Sequence, residues 1–258
     1  MDATPDTTFY DDLAPFYHLL YPDWAASVER QGAALDALLR ELGVAPGAPV
    51  LDAACGIGTQ TLGLAGRGYA VSASDLSPGA VARLRRELAA RGLAERVPIA
   101  VRDLRTLAGV PDGSQAAVLA CDNSVPHLLA DADILMAFRA CHRSLAPGGV
   151  AVFSVRDYAA LERVDPDVRP YGLRRTPESR FLAVQVWEWD GDCYDLRVYL
   201  TEDPAGGACR TRVLRSRYYA VTIARLLELM AAAGFVDLAR RDDVLFQPVL
   251  AGHRAPAT

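Results

Sequence analysis

The stretch VLDAACGIGTQT, residues 50–61, decides how this chain reads. An apolar run ends at Asp52, and the small residues Ala54, Gly56 and Gly58 follow at alternate positions before a helix-compatible segment. Small residues let a backbone take otherwise strained dihedrals and pass close to a ligand. A glycine turn alone is equally well a tight strand-to-helix connection, so the spacing carries the argument. The dinucleotide pattern G-x-G-x-x-G does not fit, because Thr61 stands where the third glycine belongs, and no G-x-x-x-x-G-K-[ST] phosphate loop is present.

Working outward, residues 69–74 read as a second strand ending at Asp75, about 20 residues past the turn. Ser77 is the expected N-cap of the next helix, with Pro78 at its first position and Gly92 at its stop. VPIAV (97–101) is a third strand, followed by Arg102, Asp103 and Leu104. A carboxylate after strand two can accept both hydroxyls of a ribose, and an acid after strand three can accept from an adenine amino group. Either acid alone is as readily a helix cap; the ordered set is far more specific.

AAVLAC (116–121) and VAVFSV (150–155) give strands four and five around a helix at 131–145, and residues 25–42 space their apolar positions as a helix. Alternation of strand and helix implies a parallel sheet covered on both faces. After residue 156 the pattern changes: FLAVQVWEW (181–189), YDLRVYL (194–200) and RVLRSRYYAV (212–221) alternate and read as three antiparallel strands. IARLLELMAAAGF then forms a last helix ending at Gly234, with closing strands near 236–240 and 244–251. The expected fold is therefore α/β: a Rossmann-like, doubly wound, seven-stranded sheet. An antiparallel insert falls between strand five and the last helix, and a helical lid precedes the core. The divisions are 1–45 for the lid and its helix, 46–155 with 220–252 for the core, and 156–219 for the insert. Such an insert covers the C-terminal edge of the sheet, where doubly wound folds bind ligands.

The chain has 258 residues, 51% of them apolar, and a net charge of −5. That balance argues against a nucleic-acid partner, and no apolar run is long enough for a membrane span. The start, rich in Asp2, Asp6, Phe9 and Tyr10, does not look like a secretory signal. Five scattered cysteines without a C-x-x-C pair point to a reducing cytoplasm and to neither a disulfide framework nor a metal site. Self-association into a homo-oligomer is left open.

Through residues 50–155 the chain resembles the class I S-adenosylmethionine-dependent methyltransferases. More narrowly it is similar to glycine N-methyltransferase and its bacterial small-molecule relatives. The segments carrying this are VLDAACGIGTQT, CDNSVPHL (121–128), FSVRDY (153–158) and SRYYAVT (216–222). The resemblance implies S-adenosylmethionine as cofactor and S-adenosylhomocysteine as product, with a small molecule as methyl acceptor. It implies that Asp52, Ala54 and Gly56 line the methionine and ribose part, that Asp75 and Leu76 hold ribose and adenine, and that Asp103 and Leu104 flank the adenine. Asn123 and His127 would lie by the methionine end. Tyr17, Tyr21 and Trp24 would close over the site, and Arg30 would pair with the cofactor carboxylate. On the acceptor side it points to Arg156, Asp157 and Tyr158, with Tyr21, His127 and Asp157 nearest the chemistry. Asp157 replaces the family's Asn, which suits a cationic or donor-rich acceptor better than glycine.

Methyl transfer to nitrogen is the leading expectation, because an α-amino group with a pKa of about 8 deprotonates without help. An O- or C-methyltransferase using His127 as a base stays open, as does a non-catalytic cofactor-binding protein. In the insert, alternation puts Arg197 and Tyr199 on one strand face. If that face looks inward, the two residues, together with Tyr219, would bind the acceptor.

Overall fold

The computed structural model describes residues 8–257, so Asp2, Asp6 and the first seven positions of the expected lid lie outside the described residues. The chain opens with α1 (Thr8–Leu13), a single turn at Tyr17–Leu20 and α2 (Trp24–Glu41). Then follow β1 (Pro49–Asp52), α3 (Thr59–Ala65), β2 (Ala70–Asp75), α4 (Pro78–Ala90), β3 (Ile99–Val101), β4 (Gln115–Ala120), α5 (Asp131–Ser144) and β5 (Leu145–Ser154). The insert holds β6 (Asp167–Arg175), β7 (Ser179–Asp190), β8 (Cys193–Pro204) and β9 (Arg210–Tyr219). The chain closes with α6 (Ile223–Ala232), β10 (Phe235–Arg241) and β11 (Val249–Arg254).

Seven strands form one sheet in the order β10-β11-β5-β4-β1-β2-β3. β11 runs antiparallel to both of its neighbours, and the other six strands are parallel. The sequence period explains the two cores. Val50, Val150 and Val152 point to the face covered by α2, α3 and α4, where Leu35, Leu39, Leu64 and Leu84 pack. Leu51, Val118, Ala151 and Phe153 point to the face covered by α5 and α6, with Phe138 and Met230. Neighbours on a strand thus serve opposite layers, as a period of two requires.

Helix starts follow their caps. Asp23 accepts from the Ala26 amide at 2.9 Å, Ser77 from Ala80 at 3.0 Å and Thr222 from Arg225 at 3.2 Å. α2 and α3 touch through glycines: a methyl group on Gly63 would stand 2.7 Å from the Gly32 Cα. α1 is seated on the start of α4, where Asp11 Oδ1 accepts from Ser77 Oγ at 2.5 Å and from the Gly79 amide at 2.7 Å.

The insert is a four-stranded antiparallel sheet, β6-β7-β8-β9, one strand more than the alternation predicts. β6 carries Pro170 and Gly172 at a register shift, on an edge, where a missing donor and an irregularity are tolerated. Along β8, Tyr194, Leu196, Val198 and Leu200 are the buried face. Arg197 and Tyr199 therefore lie on the face of β8 opposite its buried residues. The apolar set on β8 fixes the register, and the polar set is left outside. No helix among the described residues is long and apolar enough to cross a membrane.

Candidate functional site

The turn after β1 is built by left-handed glycines. Gly56 has φ 51° and Gly58 φ 99°, and a methyl group on Gly58 would stand 2.3 Å from Leu84 Cδ1. Only glycine serves at Gly58, for conformation and for space. Asp75, at the end of β2, fastens this turn. Its Oδ2 accepts from the Gly56 amide at 2.8 Å, and its Oδ1 accepts from the Ser77 amide at 2.9 Å. Burial raises the Asp75 carboxyl above its ordinary range against those two amides. Each oxygen keeps a lone pair for a further donor.

Two adjoining cavities open at the C-terminal edge of the sheet. The first, about 710 Å³, is lined by Ala54, Gly56, Asp75, Leu76, Asp103 and Leu104, among others. The second, about 510 Å³, lies between α2, the insert and the β10–β11 loop, and its walls include Arg156, Tyr171, Gln185, Tyr194, Tyr218 and Gln247. Phe9, Tyr10, Tyr17, Tyr21, Asp122 and Leu196 line both.

Most residues expected at a cofactor meet at the first cavity. Asp52 does not line either cavity: it is fully buried behind the turn, accepting from Thr61 Oγ1 at 2.6 Å, and burial pushes its carboxyl up to about 7. Asp103 faces the cavity with its carboxylate already gripped by Arg105, at 2.7 Å from Nη2, which holds it below the usual range after burial has raised it. Trp24 lines neither cavity: its Nε1 donates to Thr59 Oγ1 at 2.9 Å, and Arg83 and Arg91 stack on its ring. Asn123 lines the second cavity, donating to the Tyr158 hydroxyl at 2.8 Å and accepting from the Arg156 amide at 3.0 Å. Arg30 is exposed at the rim of the second cavity, with Nη2 donating to Ser27 Oγ at 2.9 Å.

His127 sits in the wall of the first cavity. Its Nε2 is 2.7 Å from the Tyr10 hydroxyl, its Nδ1 is 3.4 Å from Ser216 Oγ, and its ring lies against Tyr218 with centroids 4.0 Å apart. Desolvation lowers its pKa to about 3, so the imidazole is neutral at physiological pH.

The expected acceptor residues divide. Arg156 lines the second cavity, with its guanidinium 4.6 Å over the Trp187 ring and 3.4 Å from the Tyr194 hydroxyl. Among the described residues it has no carboxylate partner. Tyr158 is buried behind the wall, 3.1 Å from the Tyr194 hydroxyl. Asp157 lines neither cavity and is ion-paired with Arg240 at 2.8 Å. Arg197 lines the first cavity, paired with Glu188. Tyr199 is exposed, and Tyr219 donates to Asp131 at 3.1 Å on the α5 side. The structure therefore does not bring Asp157, Tyr199 and Tyr219 to the cavities. Sequence reasoning missed Tyr10 and Asp122. Tyr10 had no period to place it; Asp122 stood inside CDNSVPHL but went unassigned.

Residues 50–149 match a family model described as a methyltransferase domain. These residues form a methyltransferase domain. The chain is 28% identical over 198 residues to YqeM of Bacillus subtilis, a provisionally assigned methyltransferase, covering 72% of this chain and 73% of that one. Its fold matches the amino pentose methyltransferase CalS10 of Micromonospora echinaspora, solved with S-adenosylmethionine bound, at 22% identity and TM-score 0.74, over 88% of this chain and 92% of that one. It also matches the sugar N-methyltransferase KedS8 of a Streptoalloteichus species at 22% identity and TM-score 0.76, over 99% and 95%.

Proposed function

We propose that this methyltransferase moves the methyl group of S-adenosylmethionine onto an amine nitrogen of a small, ring-sized acceptor. The observation that carries the choice of nitrogen is the state of His127. A histidine whose pKa is lowered to about 3 is a poor proton acceptor, so an acceptor that needs a strong base is ill served. A neutral amine needs none. The name of KedS8, a sugar N-methyltransferase, favours the same atom, and CalS10 is named for an amino pentose.

The first cavity fits the donor. Asp75 offers lone pairs to ribose hydroxyls, Leu76 and Leu104 give apolar flanks to an adenine, and Gly56 lets the ligand pass with only Tyr17 opposite, 3.5 Å from where a methyl group would stand. Bound S-adenosylmethionine supplies an already activated methyl sulfonium. The protein's part is then alignment and exclusion of water. Tyr10, on the wall common to both cavities, donates a hydrogen bond to His127 Nε2 and turns its oxygen lone pairs toward the acceptor amine. Ser216 favours the matching tautomer by accepting a hydrogen bond from Nδ1–H. Arg156, stacked on Trp187, receives an anionic or acceptor-rich part of the substrate.

The test is a panel of amino sugars, amino acids and phenols with isotope-labelled donor, read by mass spectrometry. The expected product carries the label on nitrogen. Label found only on oxygen or carbon overturns the choice of atom, and failure to bind S-adenosylhomocysteine overturns the choice of donor.

A further inference from the structure

Gln185 and Trp187 share the buried face of β7, and their side chains meet: Trp187 Nε1 donates to Gln185 Oε1 at 2.7 Å. An indole N–H only donates, so the amide oxygen is the end turned to Trp187 and the NH2 is the end left over. Trp187 is itself held in place. It stacks on Tyr194 with ring centroids 4.4 Å apart, and the guanidinium groups of Arg156 and Arg169 lie over it at 4.6 and 4.0 Å. Gln185 is only 9% exposed and lines the second cavity, and its Nε2 forms no hydrogen bond among the described residues. A buried amide with two unpaired donors is costly, unless a ligand takes them.

The surroundings say what kind of ligand. Gln247, 6% exposed, lines the same cavity, and its Oε1 is shielded from solvent without a hydrogen-bond partner. Its loop is tied down one residue later, where Pro248 O accepts from the Val155 amide at 3.0 Å, beside Arg156. Tyr171, on β6, adds a hydroxyl that forms no hydrogen bond among the described residues. The lining contributed by the insert and by the β10–β11 loop contains no carboxylate. Apart from Arg156, this side of the cavity is therefore neutral and rich in hydrogen-bonding ends. Amides and a phenol hydroxyl recognise uncharged oxygens: hydroxyl, ring ether or carbonyl. A plain alkyl or aryl amine would desolvate these groups and leave them unpaired. A saturated ring carrying oxygens as well as its amine meets them, with the nitrogen left for Tyr10 on the wall common to both cavities.

We propose that Gln185 is a specificity-determining residue whose Nε2 donates to a hydroxyl or ring oxygen of the acceptor, and that the acceptor is a polyoxygenated saturated ring bearing an amine. The proposal rests on nitrogen being the atom methylated. Satisfying Trp187 takes only the amide oxygen; the other end of the amide belongs to the acceptor. Gln185 does not line the first cavity, so the donor's surroundings are independent of it.

The test compares a set of aminodeoxy sugars with cyclohexylamine, which has the ring and the amine but no oxygen. Steady-state kinetics with isotope-labelled donor are run on the wild type and on Gln185→Met, with KM expressed per neutral amine. A site built to bond a substrate oxygen rejects the analogue that lacks it. The wild type is expected to favour the best amino sugar about 10- to 100-fold in kcat/KM. Q185M is expected to shrink that preference about 10-fold by raising KM for the sugar, with cyclohexylamine kinetics and S-adenosylhomocysteine affinity unchanged. A purely structural role would lower both acceptors alike or weaken S-adenosylhomocysteine, and either result overturns the proposal, as does a preference that Q185M leaves intact. A wild type that methylates cyclohexylamine as well as every sugar overturns it without any variant. Label on none of these amines refutes the nitrogen reading beneath it, and that too is seen in the wild type alone.

Discussion

His127 makes stability depend on acid in a way that can be worked out. An unfolded-chain histidine titrates near a pKa of about 6.5, whereas burial in the folded wall lowers this one to about 3. The folded state thus resists a proton that the unfolded state accepts. The contribution is whole above pH 6.5 and is lost as pH falls from 6.5 toward 3. Between pH 7.5 and 5.0 the linkage integral is about 2 kcal/mol, and water in the adjoining cavity screens it to about 1–2 kcal/mol. The perturbation is His127→Gln, which keeps a polar end near Tyr10 and removes the titration. Urea unfolding followed by tryptophan fluorescence at pH 7.5 and 5.0 gives both stabilities. Asp52, raised to about 7, works in the opposite direction, because its neutral form favours the folded state at low pH and that advantage fades as pH rises from about 4 to 7. His18 and His142 are lowered by burial as His127 is. All three are present in both proteins and cancel in the comparison. The variant is expected to lose about 1–2 kcal/mol less than the wild type on acidification. An identical loss in both would mean that His127 is not desolvated in the fold, and the case against its use as a base would go with it.

Tyr10→Phe removes the hydroxyl held by His127 and is expected to lower kcat about 10-fold with S-adenosylhomocysteine affinity unchanged, as read by steady-state kinetics and calorimetry. Asp75→Asn sets an amide against the backbone donors of Gly56 and Ser77 and should weaken S-adenosylhomocysteine about 10- to 100-fold. Gly58→Ala meets both a left-handed backbone and Leu84, so its urea midpoint should report a loss of about 2–5 kcal/mol. Arg197→Ala, on the outward face and paired with Glu188, should leave the acceptor KM as it is, whereas Arg156→Met should raise it about 10-fold.

The cavity lining proposed for the donor was legible because its parts are tied to strand ends. Gly56, Asp75 and Asp103 follow β1, β2 and β3, and parallel strands bring those ends to one edge whatever the rest of the chain does. The acceptor half was not, because its geometry is set by contacts far apart in sequence. Nothing near Tyr10 announces His127, 117 residues away. On β8 the alternation was visible but its sense was not used: the apolar set Tyr194, Leu196 and Val198 had to face in, leaving Arg197 and Tyr199 outside. FSVRDY placed Asp157 beside Arg156, but only Arg156 turns to the cavity, while Asp157 meets Arg240 from β10. β6 escaped notice because Pro170 and Gly172 interrupt an edge strand with little alternation.

The seat of α1 has a consequence for how this enzyme can change. Asp11 is bonded to Ser77 and Gly79, and the Ser77 amide is bonded to Asp75. The short segment Asp75–Gly79 therefore carries the carboxylate proposed for the ribose and anchors the helix that holds Phe9 and Tyr10. One wall of the second cavity is, mechanically, an outgrowth of that turn. Substitutions in α1 that reshape the chamber cannot be confined there, since a helix that shifts on its anchor pulls on Asp75. The proposed acceptor pocket is more freely retuned from the other wall, at Tyr171, Gln185 and Gln247, whose strands and loop make no hydrogen bond to that turn among the described residues.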